Sequence, residues 1–576
     1  MSVAERTILR PDIPAYEAGA LSEWPLLQRI YALRGVSAPG ELDYRLSAML
    51  PPEALGGTRE AAQLLHRVMV GQGRILVVAD FDADGATSCA LALRALRAMG
   101  AREVDFIVPN RFIDGYGLTL EIACKCLARS PDLVMTVDNG IASLDGVRLL
   151  REQGVAVLVT DHHLPGGELP DADVIVNPNN PGEPFPSKHL AGVGVVFYVM
   201  AALRTWLREA GWFGEKGLPE PNLADYLDLV ALGTVADVVR LDHNNRILVQ
   251  QGLARIRAGR CCELIRAVFA SAGKTLSRVV ATDLGFTLGP RLNAAGRLDD
   301  MSVGIAGLLS DSTAKAAETA NLLNSLNGER KEIEQEMRQQ ALACLASLEL
   351  GDRLPLGICV YQENWHQGVI GILASRIKEQ YHRPVIAFAD ADDEMLKGSA
   401  RSICGVHIRD ILESIAIAHP QLLDKFGGHA MAAGLTLMKR DLENFSRCFD
   451  EAVRQQLNGR ALDGALRSDG GLEVDEMILS VAQQLREAGP WGQGFPEPLF
   501  DDRFEIVRQQ TVGVGHAKLA LRRAGRAETF DAIAFNQSAA LPTHQPATIH
   551  AAYRLDINEF RGAMNVQLLI EYFQVI

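Results

Sequence analysis

Three carboxylates alternate along Ala79-Asp-Phe-Asp-Ala-Asp-Gly-Ala-Thr-Ser88, and no other stretch restricts the fold so tightly. Asp80, Asp82 and Asp84 are so close that their charges repel unless a cation sits among them. Before them, Arg74-Ile-Leu-Val-Val78 reads as a buried strand; after them, Cys89-Ala-Leu-Ala-Leu-Arg-Ala-Leu96 has the apolar spacing of a helix. The acids therefore fall at the carboxyl end of a strand, where open α/β sheets place their ligands. An Asp-x-Asp-x-Asp-Gly run also opens a calcium EF-hand loop, which needs a Glu at its twelfth position. Leu91 stands there and a strand precedes the loop, so the EF-hand is excluded. A solvated acidic turn is the plain alternative.

Alternating strand and helix patterns surround this stretch. Val104–Val108, Leu133–Asp138, Val155–Asp161 and Val174–Val176 are predicted strands, with helices over Leu118–Arg129 and Ser143–Gly154. Such alternation predicts a mostly parallel sheet covered on both faces. Polar groups recur at the strand ends: Arg111 in the segment Asn110–Gly117, Asp138 in Thr136–Gly140, and Asp161, His162 and His163. A further acid, Asp237, follows the apolar run Leu232–Ala236. Singly, each has an ordinary reading as a helix cap or a structural histidine. Together, at the ends of neighbouring parallel strands, they make a site.

At 576 residues the chain has room for about three or four domains. Residues 1–72 are expected to form a helical lead-in, 73–311 the parallel-sheet domain and 312–350 a connecting helix or helical pair. In that helix Leu322, Leu326, Ile333, Met337, Ala341 and Leu345 recur at helical spacing, and Gly328 is the weak point. A second α/β unit is expected over 351–460, and a small β domain of five short strands over 461–576, compatible with an oligonucleotide-binding barrel. Gly289-Pro-Arg-Leu-Asn-Ala-Ala-Gly-Arg297 reads as a glycine-bearing loop whose Arg291 and Arg297 suit phosphate contacts. No apolar run is long enough to span a bilayer, and the amino terminus lacks a signal pattern. Nine cysteines without a Cys-x-x-Cys pair fit neither a zinc site nor a disulfide framework, so a reducing cytoplasm is the expected home. A net charge of -14 argues against an indiscriminate nucleic-acid binder. From Arg503 onward, however, eight lysines and arginines stand against six acids, a balance of +2.

Asp80, Asp82, Asp84, Asp138, His162 and Asp237 offer five carboxylates and an imidazole, with no thiolate. Hard oxygen donors with a nitrogen favour Mn²⁺ or Mg²⁺, and so many acids suit two ions. A metal pair suits phosphate-ester hydrolysis, because it activates water and neutralises charge at the attacked phosphorus. His163 would then donate to a phosphate oxygen.

Asp80-Phe-Asp-Ala-Asp-Gly85, Asp138-Asn-Gly140, Asp161-His-His163 and Thr234-Val-Ala-Asp237 resemble the four motifs of the DHH phosphoesterase superfamily. Arg291-Leu-Asn-Ala-Ala-Gly-Arg297 and Gly427-Gly-His429 extend the resemblance to its nuclease branch. The resemblance implies a DHH domain, a DHHA1 domain and an OB-like domain, and a single-strand-specific 5′→3′ exonuclease of DNA repair and recombination that releases 5′-mononucleotides. It implies one metal on Asp82 and Asp138, helped by Asp80, and a second on Asp84, Asp138, His162 and Asp237. It further implies His163 at the scissile phosphate and Asp161 orienting the histidines. Arg111, Arg291, Asn293, Arg297, Ser399, Arg401, Gly428 and His429 would hold substrate phosphates along a cleft too narrow for duplex DNA. A monomer served by a single-strand-binding protein or a helicase is also implied. The chain departs from one pattern: Val78 stands where the pyrophosphatase-like members carry a metal-binding His. Phe504, Phe530, Phe535 and Tyr553 are candidates for stacking on bases. Two other readings stay open: a phosphodiesterase of short oligonucleotides or cyclic dinucleotides, and a non-catalytic DNA-binding scaffold.

Overall fold

The computed structural model describes residues 6–15, 19–349, 354–459, 462, 464–513, 515–542, 547–560 and 563–576. The chain divides into two compact units. One comprises Asn327–Arg467 with the chain's beginning up to Leu9; the other comprises Arg10–Leu326 with Ser468–Ile576. The boundaries expected at 350/351 and 460/461 fall on residues outside the described ones.

In the larger unit, β1 (Arg74–Ala79), β2 (Glu103–Ile107), β3 (Leu133–Val137), β4 (Ala156–Thr160) and β5 (Val174–Val176) form one parallel sheet in the order β2-β1-β3-β4-β5. The central strands are apolar on both faces because helices cover both. α1 (Thr58–Val70), α2 (Ala83–Ala98), α3 (Leu120–Leu127), α4 (Leu144–Glu152), α5 (Gly192–Glu209) and α6 (Leu227–Ala236) supply that cover. The pairing register sets Ala79 opposite Val137, Val137 opposite Thr160, and Thr160 opposite Val176. The strands end level, so Asp80, Asp138 and Asp161 leave the sheet along one edge.

The segment expected as a loop at 289–297 is instead a helix, α7 (Gly289–Leu298), entered through a π-helical turn over Leu284–Leu288. Its glycines lower helix propensity, but Leu292, Ala294 and Ala295 are fully buried, and burial overrides propensity. α8 (Thr313–Glu349) is one helix of 37 residues, not a pair. Leu326, Met337, Ala341 and Leu345 lie on its buried side, whereas Leu322 is exposed and Leu323 takes its place.

The smaller unit holds β6 (Ile358–Tyr361), α9 (Ile370–Tyr381), β7 (Val385–Asp390), β8 (Met395–Arg401), α10 (Ile408–Ala418), β9 (Lys425–Gly428), β10 (Ala432–Met438) and α11 (Leu442–Leu457). Its sheet runs β9-β10-β8-β7-β6, antiparallel except for β6 and β7. Phe388, Phe445 and Phe449 fill the space under α11.

The last five strands close a barrel in the order β11-β12-β13-β15-β14: β11 (Phe500–Val512), β12 (His516–Arg522), β13 (Thr529–Ala534), β14 (Thr548–Phe560) and β15 (Ala563–Val575). The α/β class with a closing small barrel is therefore as expected. Two of the stacking candidates are corrected: Phe504 and Tyr553 are completely buried in the barrel, because both point inward on its strands. Phe535 is 53% exposed, and Phe530 is half-buried. The barrel shares one apolar core with the parallel sheet. The lead-in residues join them: Tyr31 packs on Trp491 and Phe495, and Arg34 makes a buried 2.6 Å ion pair with Asp469. Among the described residues no helix is long and apolar enough to cross a membrane.

Candidate metal centre

The acidic turn after β1 is shaped by the helix that comes next. Asp82 is the N-cap of α2, and its Oδ1 accepts the N–H groups of Asp84 and Gly85 at 2.9 and 3.0 Å. Gly85 lies so close to the strand end that a β-carbon there would stand 2.5 Å from the Asp80 carbonyl oxygen. Asp80 is 4% exposed and Asp84 1%.

Asp138 leaves β3 with φ at +63°, a left-handed turn that an L residue holds only under constraint. Its N–H donates to the Thr160 carbonyl at 3.0 Å, and the Tyr116 hydroxyl donates to its own carbonyl at 3.2 Å. Asn139 donates its amide to the carbonyls of Val78 and Val137 at 3.0 and 2.9 Å, tying the ends of β1 and β3 together. After β4, the buried Asp161 accepts the His162 N–H at 2.7 Å through Oδ1 and the Ile141 N–H at 2.9 Å through Oδ2. The same Oδ1 lies 2.7 Å from His163 Nδ1. Asp237 arrives at the carboxyl end of α6, not from a strand, and Val238 beyond it is left-handed at +62°.

These elements bring all six predicted ligands together. His162 Nε2 lies 3.1 Å from Asp138 Oδ1 and 3.5 Å from Asp237 Oδ2. Ligand atoms of Asp84, His162 and Asp237 lie within 4.8 Å of one another, as do those of Asp80, Asp82 and Asp138, and those of Asp138, His162 and His163. Asp138 Oδ1 and His162 Nε2 are both buried and, beyond facing each other, have no hydrogen-bond partner among the described residues. Buried polar atoms left in this state are costly unless something else completes them. A donor set of carboxylate oxygens and one imidazole, with these two atoms open, fits hard divalent cations.

The electrostatics carry the same message. Burial, and then repulsion among the acids, pushes Asp84 up to about 7 and Asp237 to about 8, and holds Asp80 and Asp138 well above the carboxylate range. Burial keeps His162 below the ordinary histidine value, so it is neutral and able to coordinate. For His163, burial is overridden by Asp161, which holds the imidazolium up to about 9.

The phosphate-binding candidates divide between the units. Arg111 lies over the Phe81 ring at 4.1 Å, beside the acidic turn. Arg291 uses its fork on Asn324 Oδ1 and the Thr287 carbonyl, both at 2.5 Å; Asn293 accepts the Ala83 N–H at 2.8 Å; Arg297 lies in the last turn of α7. In the smaller unit, Ser399 and Arg401 share one face of β8, with Arg401 Nη1 donating to Ser399 Oγ at 3.2 Å. They gather at the N-terminal turn of α9, where a β-carbon on Gly371 would meet both. Gly428 ends β9 and His429 follows it, its N–H donating to the Ala432 carbonyl.

The N-terminus of α5 has no counterpart among the predicted site residues. The Gly192 and Val193 N–H groups donate to the two oxygens of Asp84 at 2.6 and 2.9 Å. Gly233 also presses on this acid, where a β-carbon would stand 2.7 Å from Asp84 Oδ1. Only the run of small residues Ala191-Gly-Val-Gly194 hinted at such a close approach.

A parallel sheet whose strand ends carry an alternating acid triplet, Asp138-Asn-Gly and Asp-His-His defines a DHH-type phosphoesterase core. Accordingly, the model of the DHH family N-terminal domain matches residues 74–234, that of the DHHA1 domain 355–455, and that of the RecJ OB domain 468–572. The single-stranded-DNA-specific exonuclease RecJ of Dickeya dadantii (strain 3937) is 54% identical over 549 residues, 95% of each chain. Its counterpart in Escherichia coli (strain K12) is 53% identical over the same shares. Among solved structures, RecJ from Thermus thermophilus in complex with Mn²⁺ matches with a TM-score of 0.77 at 31% identity, covering 96% of this chain and 76% of that one. The same protein in complex with Mg²⁺ matches with a TM-score of 0.73 at 29% identity, covering 96% of this chain and 74% of that one. The chain belongs to the RecJ family of exonucleases.

Proposed function

We propose that this chain is a Mn²⁺- or Mg²⁺-dependent exonuclease that hydrolyses single-stranded DNA from its 5′ end and releases 5′-mononucleotides. The observation that carries the reading is the pair Asp138 Oδ1 and His162 Nε2, buried, 3.1 Å apart and open to a further partner. Asp80, Asp82 and Asp138 would hold one ion; Asp84, His162 and Asp237, with Asp138 shared, the other. Bound there, the ions supply an activated water and neutralise charge on the phosphate. Asp80 lies two residues beyond Val78 at the strand end, within 4.8 Å of the Asp82 and Asp138 ligand atoms, and would supply the ligand that the valine lacks.

The remaining chemistry belongs to protein groups. Asp161 holds His163 protonated, so the imidazolium can donate to a phosphate oxygen as charge develops there. Neutral His162 contributes a nitrogen and carries no proton away. Arg111, Arg291, Asn293 and Arg297 would take neighbouring phosphates in the larger unit, and Ser399, Arg401, Gly428 and His429 in the smaller. The barrel would gather single strands by charge and stacking, with Phe535 as an exposed aromatic. The chain would work as a monomer in the cytoplasm, in DNA repair and recombination, on strands opened by a helicase or held by a single-strand-binding protein.

The test is end-labelled single-stranded and duplex DNA with Mn²⁺, beside an Asp138→Ala control. Mononucleotides released from the 5′ end of long single strands support the proposal. Cleavage of short oligomers alone would redirect it to a small-substrate phosphodiesterase. Binding without metal-dependent cleavage would leave only a scaffold.

A further inference from the structure

Helix α7 reaches the acidic turn through Asn293 and Gly296. The first is Asn293, whose Oδ1 accepts the Ala83 N–H at 2.8 Å across 210 residues of sequence. Ala83 opens α2, and the first amides of a helix have no partner inside it. Asp82 Oδ1 serves the next two, those of Asp84 and Gly85. The turn is therefore capped by two side chains, one of them supplied by α7.

The second contact is Gly296, three residues on and so on the same face of the helix. A β-carbon there would stand 1.9 Å from the Phe81 carbonyl oxygen. The backbone of α7 thus lies directly against the peptide between Asp80 and Asp82. Only glycine permits that approach.

We propose that Asn293 and Gly296 are positioning residues for the metal-binding acids. Gly296 seats the Phe81 peptide, which fixes the directions in which Asp80 and Asp82 leave the turn. Asn293 takes the Ala83 amide, which Asp82 does not serve, and so fixes the start of α2 on which the Asp82 carboxylate is held. The ligand geometry on one side of the centre is then set by a helix that supplies no ligand. This role is distinct from a phosphate contact of Asn293, and it rests on the metal-site reading above.

The test is Mn²⁺ titration of the full chain, followed by the electron paramagnetic resonance of the free ion, with steady-state cleavage of single-stranded DNA alongside. Asn293→Ala is expected to weaken Mn²⁺ binding by about ten-fold or more, the usual effect of losing a group that orients ligands. The kcat falls, and the Mn²⁺ affinity is lost with no DNA present, which removal of a phosphate contact would not cause. Asn293→Asp, which keeps the accepting oxygen, recovers most of the affinity. Gly296→Ala is expected to lose more than Asn293→Ala; should it fail to fold, the Asn293 pair decides alone. Unchanged Mn²⁺ affinity in Asn293→Ala with a raised KM overturns the proposal in favour of a substrate contact. Unchanged affinity and unchanged kinetics overturn it outright. If the wild type binds no more Mn²⁺ than Asp138→Ala, the metal-site reading fails first and this inference falls with it.

Discussion

The Asp84 carboxylate accepts the backbone N–H of Gly192 at 2.6 Å, joining the acidic turn to the first residue of an 18-residue helix. Its other oxygen takes the Val193 N–H at 2.9 Å. A negative group at a helix N-terminus is stabilised by the helix dipole and by the unpaired amides. One acid of the cluster is therefore part of the fold as well as a candidate ligand. The contact is tight: a β-carbon on Gly192 would lie 2.6 Å from both Cβ and Oδ1 of Asp138.

Gly192→Ala should consequently displace Asp138. We expect a stability loss of about 1–3 kcal/mol from overpacking, and Mn²⁺ affinity reduced by about ten-fold or more. Urea unfolding and Mn²⁺ titration read the two effects separately. Wild-type Mn²⁺ affinity in a folded variant would show that the approach is only a packing contact.

Asp138→Asn is expected to act in opposite directions with and without metal. The carboxylate is 2% exposed and held well above its ordinary range by burial and by Asp84, Asp82 and Asp237. A neutral isostere removes that repulsion, so the melting temperature in chelator should rise by about 1 °C, roughly 1 kcal/mol for a chain of this size. The upward shift that Mn²⁺ gives the wild type should vanish. A lower melting temperature in chelator would mean that the acids are neutralised by other means.

In chelator, stability should fall as pH rises from about 6 to 9. Asp84 and Asp237 titrate near 7 and 8 when folded, above the unfolded carboxylate range, so the folded state holds protons that the unfolded chain has released. His163, raised to about 9, adds a contribution of the same sign. More protons on the native state means stability lost with rising pH. Bound Mn²⁺ favours the ionised acids, so the slope should flatten with the metal present. Unfolding midpoints at pH 6, 7.5 and 9, with and without Mn²⁺, check both statements.

The barrel aromatics should separate cleanly. Phe504→Ala opens a cavity in a closed core and should cost about 3–5 kcal/mol. Phe535, exposed and edge-on to His516 at 5.1 Å, should tolerate replacement by alanine. That change should instead weaken single-strand binding by about 1–3 kcal/mol. Fluorescence anisotropy with labelled oligonucleotides measures it; unchanged binding would exclude Phe535 as a stacking residue.

Gly328→Ala should stabilise the protein by about 1 kcal/mol, because a β-carbon there meets nothing within 4 Å among the described residues and glycine is a poor residue in the middle of a helix. A destabilised variant in urea unfolding would show that the glycine is needed for its conformation.

What the sequence alone determined is local. The acid triplet, Asp138-Asn-Gly and Asp161-His-His stand directly after apolar strand patterns, so hydrophobic periodicity was enough to put them at strand ends. Level register then came from a parallel sheet with short crossovers. The five barrel strands were legible as short strand-like runs separated by turns. Tertiary structure decided whatever depends on contacts distant in sequence. The helix over Gly289–Leu298 was hidden because Gly296 serves close approach to Phe81, and glycine reads as a turn. The capping of Asp84 by Gly192 spans 108 residues and leaves only a run of small residues as its trace. Phe504 and Phe535 look alike in sequence; only barrel closure turns one inward and leaves the other on the surface. Periodicity reports which face of an element is apolar, whereas packing partners are selected by shape and distance, which a linear pattern does not carry.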